Sequence, residues 1–73
     1  MGKMVPISGR EMVKVLEKAG FEIKRWKGSH AVMSDRTRIV VIPCHGHETL
    51  PKGTQRGIIK DAGMTVEKFN RLI

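Results

Sequence analysis

The stretch FEIKRWKGSHAVMSDRTRIVVIP, residues 21–43, decides the architecture. Its first part alternates Phe21, Ile23 and Arg25 against Glu22, Lys24 and Trp26, the pattern of a half-buried strand. Gly28-Ser29 breaks the run, HAVMS at 30–34 supplies a second strand, and Asp35-Arg36-Thr37 makes a turn. A third strand, RIVVIP at 38–43, stops at Pro43, which has no N–H to extend a ladder. Short runs joined by tight turns predict a three-stranded antiparallel meander.

Two registers are open to the first hairpin. A three-residue loop, Lys27-Gly28-Ser29, sets Trp26 opposite His30. Phe21, Ile23, Ala31 and Met33 then share the core face, and Lys24, Trp26, His30 and Val32 share the open one. A two-residue loop pairs Trp26 with Ala31 and mixes the faces. The three-residue register keeps the apolar set together and is the one expected.

Helices flank the meander. SGRE at Ser8–Glu11 has the capping-box form, and Met12, Val15, Leu16 and Ala19 follow at i, i+3, i+4 and i+7 before a stop at Gly20. Residues 44–52 read as a loop. GTQRGIIKDAG, 53–63, reads as a second helix with Ile58, Ile59 and Ala62 inward. TVEKFNRLI reads as a short terminal helix with Val66, Phe69, Leu72 and Ile73 packing inward. The fold class is α+β: α-β-β-β-α with a short C-terminal helix, and the helices on one face of the sheet.

A chain of 73 residues makes one domain, 1–73, of modest stability, because so short a chain buries only about 60% of its unfolded surface. Fourteen Lys and Arg against seven Asp and Glu leave a net charge of +7. That excess draws the domain toward polyanions, with nucleic acid the natural partner and a membrane surface the rival. No long apolar run favours the membrane, and Pro6 stands where the myristoylation pattern beginning at Met1-Gly2 wants Ser or Thr. The single cysteine, Cys44, forms no internal disulfide and fits a reducing, cytoplasmic setting, where it reads as a small buried hydrophobe.

The basic residues are patterned. Arg10, Lys14 and Lys18 fall at i, i+4 and i+8 on the first helix, and Lys52, Arg56 and Lys60 repeat that spacing on the second. Lys24, Arg25 and Lys27 precede one turn, while Arg36 and Arg38 lie at the next. Any one run reads as a solvated face; together they point to phosphate binding. Lys52-Gly53-Thr54 adds a helix start whose free N–H groups suit a phosphate, although Thr54 also reads as an ordinary N-cap.

His30 is either a strand histidine packed on Trp26 or a proton carrier for RNA cleavage, since imidazole takes and gives protons near neutrality. On spacing alone the structural reading of His30 is favoured, because one histidine is no motif. Trp26 is a cross-strand packing residue, a stacking platform for a base, or both. CHGHE, 44–48, gathers Cys44, His45, His47 and Glu48, but zinc wants four converging ligands and no second pair exists. No metal or other cofactor is expected. His45 reads instead as a second proton carrier or phosphate ligand beside His30.

SGREMVKVLEKAGF, KGSHAVM, VIPCHGHETLPKGT and IIKDAGMTVEKF, taken in order and spacing, resemble the HicA family of toxins from about Ser8 to the C-terminus. The resemblance implies a fold similar to the double-stranded RNA-binding domain. It implies a ribonuclease that cleaves mRNA and is held inactive by a HicB-type antitoxin. The family's catalytic histidine maps onto His30, its Pro-x-His segment onto Pro43 and His45, and its Gly-Thr helix start onto Gly53 and Thr54. Many relatives carry an aromatic where Met33 stands. The expected RNA-binding set is Lys24, Trp26, Lys27, Ser29, His45, Lys52, Thr54 and Arg56. The alternative is a non-catalytic RNA-binding module in which His30 is structural, and a zinc-binding regulator built on CHGH is weaker still.

Overall fold

The capping box at Ser8 opens the first helix as its residues dictate. In the computed structural model, which describes residues 3–73, Ser8 N–H donates to Glu11 Oε1 (2.9 Å) and Glu11 N–H donates to Ser8 Oγ (3.2 Å). The bond from Ser8 N–H, above all, holds the Glu11 carboxyl below the ordinary carboxylate range. Its support for the helix is present above the unfolded carboxylate pKa and fades as pH falls through the lowered folded value. Helix α1 runs Gly9–Lys18 and buries Met12, Val13, Val15 and Leu16. It closes on Gly20 and Phe21, whose N–H groups donate to Glu17 O (3.1 Å) and Leu16 O (2.9 Å), a Schellman ending. The Met1-Gly2 start lies outside the described residues.

Strands β1 (Glu22–Lys27), β2 (His30–Ser34) and β3 (Ile39–Pro43) form an antiparallel sheet in the order β1-β2-β3. Ala31, Met33, Val40 and Ile42 are fully or almost fully buried beneath the helices. The opposite face is uncovered, with Ile39 70% and Val41 49% exposed. Helix α2 spans Lys52–Asp61 and α3 spans Val66–Leu72. The α-β-β-β-α-α order and the one-sided helical layer are those expected. Phe69 is fully buried in α3, whereas Val66 and Leu72 are half-buried and Ile73 is 52% exposed, so the inward set at the C-terminus is narrower than its spacing suggests.

The first hairpin corrects the expected register. Lys27 pairs with His30 and Trp26 with Ala31, across a two-residue Gly28-Ser29 turn. Gly28 takes φ +60° at the first central position, the conformation a type II′ turn demands of glycine. Mixing of the faces is avoided by a bulge between Ile23 and Arg25, which lets Ile23 still pair with Met33. Residues paired directly across a ladder point the same way. Trp26 therefore lies on the helix side with Ala31, not on the open side with His30.

The start of α2 also differs from the expectation. Helix α2 starts one residue earlier than expected, with Pro51 at the N-cap, so Thr54 stands inside the first turn and is not the cap. The segment before α1 is tied down by α2. Gln55, fully buried, accepts from Ile7 N–H (3.2 Å) and donates to Val5 O (2.6 Å), while Leu50 N–H donates to Ile7 O (2.9 Å). Asn70 of α3 joins the same segment, accepting from Val5 N–H (3.3 Å) and donating to Lys3 O (2.8 Å). Gly9 then lets α1 press onto the strand end. A Cβ there would overlap the Pro43 carbonyl oxygen.

Candidate active site

The turn that closes the β1–β2 hairpin also brings two histidines together. His30 opens β2, half-buried, with Lys27 across the hairpin on one side and Pro43 of β3 on the other. Beyond Pro43 the chain stays attached to the hairpin, because Cys44 N–H donates to Ser29 O (2.9 Å). The next residue, His45, is thereby held over the end of the sheet. Its ring meets that of His30 edge to face, with centroids 5.7 Å apart and planes at 88°. Ser29 Oγ and His45 Nδ1 lie at hydrogen-bond distance, 3.4 Å, with the hydroxyl donating when Nδ1 carries no proton.

This arrangement has chemical content. Two imidazoles side by side can divide a proton transfer, one accepting while the other donates, if a reacting group sits between or beneath them. The Ser29 bonds fix which way His45 presents its ring. Lys27 sits across from His30 where Trp26 was expected, so the cross-strand neighbour is a cation and not a ring. Cys44 is buried and its thiol lies 3.6 Å from Ile42 O. Burial pushes that thiol up from its ordinary pKa, as befits a packing residue. Among the described residues, no three of His, Cys, Asp and Glu converge as metal ligands.

The remaining sequence candidates are distributed around this pair. Lys24, at the bulge, is bound to Glu22 (3.0 Å) in an exposed ion pair of small energetic worth. Lys52, Thr54 and Arg56 are exposed on α2, and among the described residues none of them hydrogen-bonds to either imidazole. The α2 start carries no side-chain cap and no acidic residue in its first turn, leaving its N–H groups and positive dipole end unopposed. The α1 stripe is split: Lys18 Nζ donates to Leu72 O (3.0 Å), while among the described residues Arg10 and Lys14 have no such bond, and they border the groove beside Trp26. The difference in surroundings between Lys18 and the Arg10–Lys14 pair was hidden in the i, i+4, i+8 pattern, which treats all three cations alike.

The family model described as HicA toxin of bacterial toxin-antitoxin matches residues 9–64 of the 73. The chain belongs to the HicA toxin family. No curated protein matches it. Membership makes the chain the toxin side of a toxin-antitoxin pair, and so implies an antitoxin partner. The Gly-Ser-His triplet that carries the HicA resemblance, Gly28-Ser29-His30, is the hairpin turn and first β2 residue described above. No described helix is long and apolar enough to cross a membrane.

Proposed function

We propose that this HicA-family toxin is a metal-independent endoribonuclease that cleaves mRNA in the cytoplasm and is silenced by a HicB-type antitoxin. The observation that carries the reading is the His30–His45 pair, 5.7 Å apart at the hairpin tip of a strongly basic domain. In the reaction, the ribose 2′-oxygen attacks the adjacent phosphorus as its proton passes to an imidazole. The bond from phosphorus to the 5′-oxygen breaks, and a second proton donor protonates the departing oxygen. His30 is the principal proton-transfer residue. His45 is suited to the complementary role. Lys27 and nearby cations offset the charge that builds on the phosphoryl oxygens.

Atom balance then fixes the products: a 2′,3′-cyclic phosphate on one fragment and a 5′-hydroxyl on the other. Purified protein incubated with single-stranded RNA in EDTA is expected to yield those ends, read by mass spectrometry. Loss of cleavage on chelation, restored by Mg²⁺ or Zn²⁺, would overturn the metal-independent route.

Lys52, Thr54 and Arg56 bind RNA phosphate at the uncapped α2 start, and Lys24, Trp26, Lys27 and Ser29 bind near the hairpin. Each phosphate contact on a single strand contributes a slope of about −0.7 in log K against log salt. Lys52→Ala is expected to flatten the measured slope by about that amount without changing the melting temperature. An unchanged slope removes Lys52 from the interface. A +7 toxin suits an antitoxin face bearing carboxylates, and covering His30 is the direct way to silence it.

A further inference from the structure

The sheet is wider than the helical layer that covers it. Helices α1 and α2 both pack over β3, and the opposite edge strand, β1, projects past them. The helix-side residues of β1 are therefore only partly covered: Ile23 is half-buried and Trp26 is 54% exposed. Between this overhang and the flank of α1 runs an open groove of about 510 Å³. That lies within the range of small-molecule sites. Ile23 and Trp26 form its sheet wall, Val13 its floor, and Arg10, Lys14 and Glu17 its helix wall. Ser29 closes it at the hairpin turn, and that same residue meets His45 with its hydroxyl.

An exposed indole beside two cations, linked through Ser29 to a pair of imidazoles, has the composition of a site for one base and its phosphate. Indole offers an aromatic face of the kind on which any base stacks. Arg10 and Lys14 stand one helical turn apart on the same wall, spaced to meet a phosphate beside the stacked base. Glu17 adds an acceptor suited to an exocyclic amine. A paired base could not enter, because its edges and faces are engaged in the duplex.

We propose that this groove is a nucleobase subsite, in which one unpaired base of the RNA stacks on Trp26 with its phosphate on Arg10 and Lys14, adjoining the His30–His45 pair through Ser29. The subsite rests on the ribonuclease reading for its biological sense. It makes a separate claim, that the toxin selects single-stranded over duplex RNA by capturing an extruded base. The strand then bends around the hairpin turn, with a base on the helix side and the reacting phosphate on the open side.

Trp26 is the only tryptophan and the chain has no tyrosine, so its emission reports on this groove alone. The probe is a 5′-labelled 2′-O-methyl oligoadenylate, which lacks the nucleophile and cannot be cleaved. An abasic phosphodiester of the same length and a 2′-O-methyl duplex serve as comparators. The oligoadenylate is expected to quench Trp26 emission saturably, with a midpoint matching its binding by anisotropy. The abasic strand and the duplex are expected to bind with little quenching. Trp26→Ala should weaken oligoadenylate binding about 5–150-fold and leave the abasic strand unaffected, while Trp26→Phe retains most of the affinity. Binding of the oligoadenylate with Trp26 emission unchanged would overturn the subsite and leave the groove to a protein partner. Because the probe cannot react, a failure of wild-type protein to cleave RNA would overturn the ribonuclease reading without touching this result.

Discussion

Replacing His30 with alanine is expected to lower RNA cleavage about 10²–10⁴-fold, the range that general acid–base catalysis contributes. Growth arrest on expression should disappear with it. The position makes the experiment clean. His30 begins β2 on the face opposite the buried Ala31, and its ring meets that of His45. Truncation therefore opens no apolar cavity, and stability should stay within about 0.5–1 kcal/mol of the wild type. Circular dichroism, melting temperature and binding of the uncleavable oligonucleotide should all be retained. His45→Ala should give a smaller defect, and His47→Ala smaller again, because His47 faces the start of α1 beside Arg10 and Lys14. A folded His30→Ala protein that cleaves at the wild-type rate would refute the assignment. One that unfolds would show instead that the histidine holds the hairpin.

Gln55→Leu is expected to cost about 2–4 kcal/mol of stability while sparing the histidine pair. Leucine fills much the same space, so the loss reports on hydrogen bonds rather than on a cavity. The Ile7 N–H loses its acceptor in a buried setting, and each such orphaned group costs about 1–3 kcal/mol. The Val5 carbonyl loses its donor too, but Val5 is 42% exposed and water can partly replace the bond. For a domain this small, each kcal/mol lowers the melting temperature by about 4–8 °C. A drop of roughly 8–30 °C follows, readable in one thermal scan. Gln55→Glu keeps an acceptor for Ile7 but sets a buried carboxylate against the Val5 carbonyl oxygen. At neutral pH it should therefore destabilise at least as much, with part of the loss recovered at acid pH, where the protonated acid can donate to Val5. A Gln55→Leu melt within 3 °C or so of wild type would show that residues 5–7 are held by something other than this side chain.

The difference between these residues explains what could be read in advance. Capping boxes, glycine stops and period-two runs are local, and α1, the three strands and α3 follow from them. Gln55 is different: in GTQRGIIK it looks like any polar helix residue, and its partners lie about fifty positions away in the chain. The hairpin register failed for another reason. Lys24 and Arg25 are both polar, so nothing in the alternation betrays a bulge between Ile23 and Arg25. Without the bulge, only the longer turn keeps the apolar residues together. With it, the shorter Gly28-Ser29 turn satisfies both. Gly-Ser is itself a two-residue hairpin signal, and the local turn chemistry outweighed the parity argument. His30 and His45 were legible as neighbours only as one option, because their meeting depends on the bond from Cys44 N–H to Ser29 O.

That bond gives the site a place in the order of synthesis. His30 leaves the ribosome well before His45, and the two rings meet only when β3 has docked and the chain beyond Pro43 has turned back onto the hairpin. A growing chain that stops in β2 carries the first imidazole with no partner beside it. Chemical competence thus arrives late, after all three strands have been made, on a molecule whose proposed substrate is the same class of RNA that directs its synthesis.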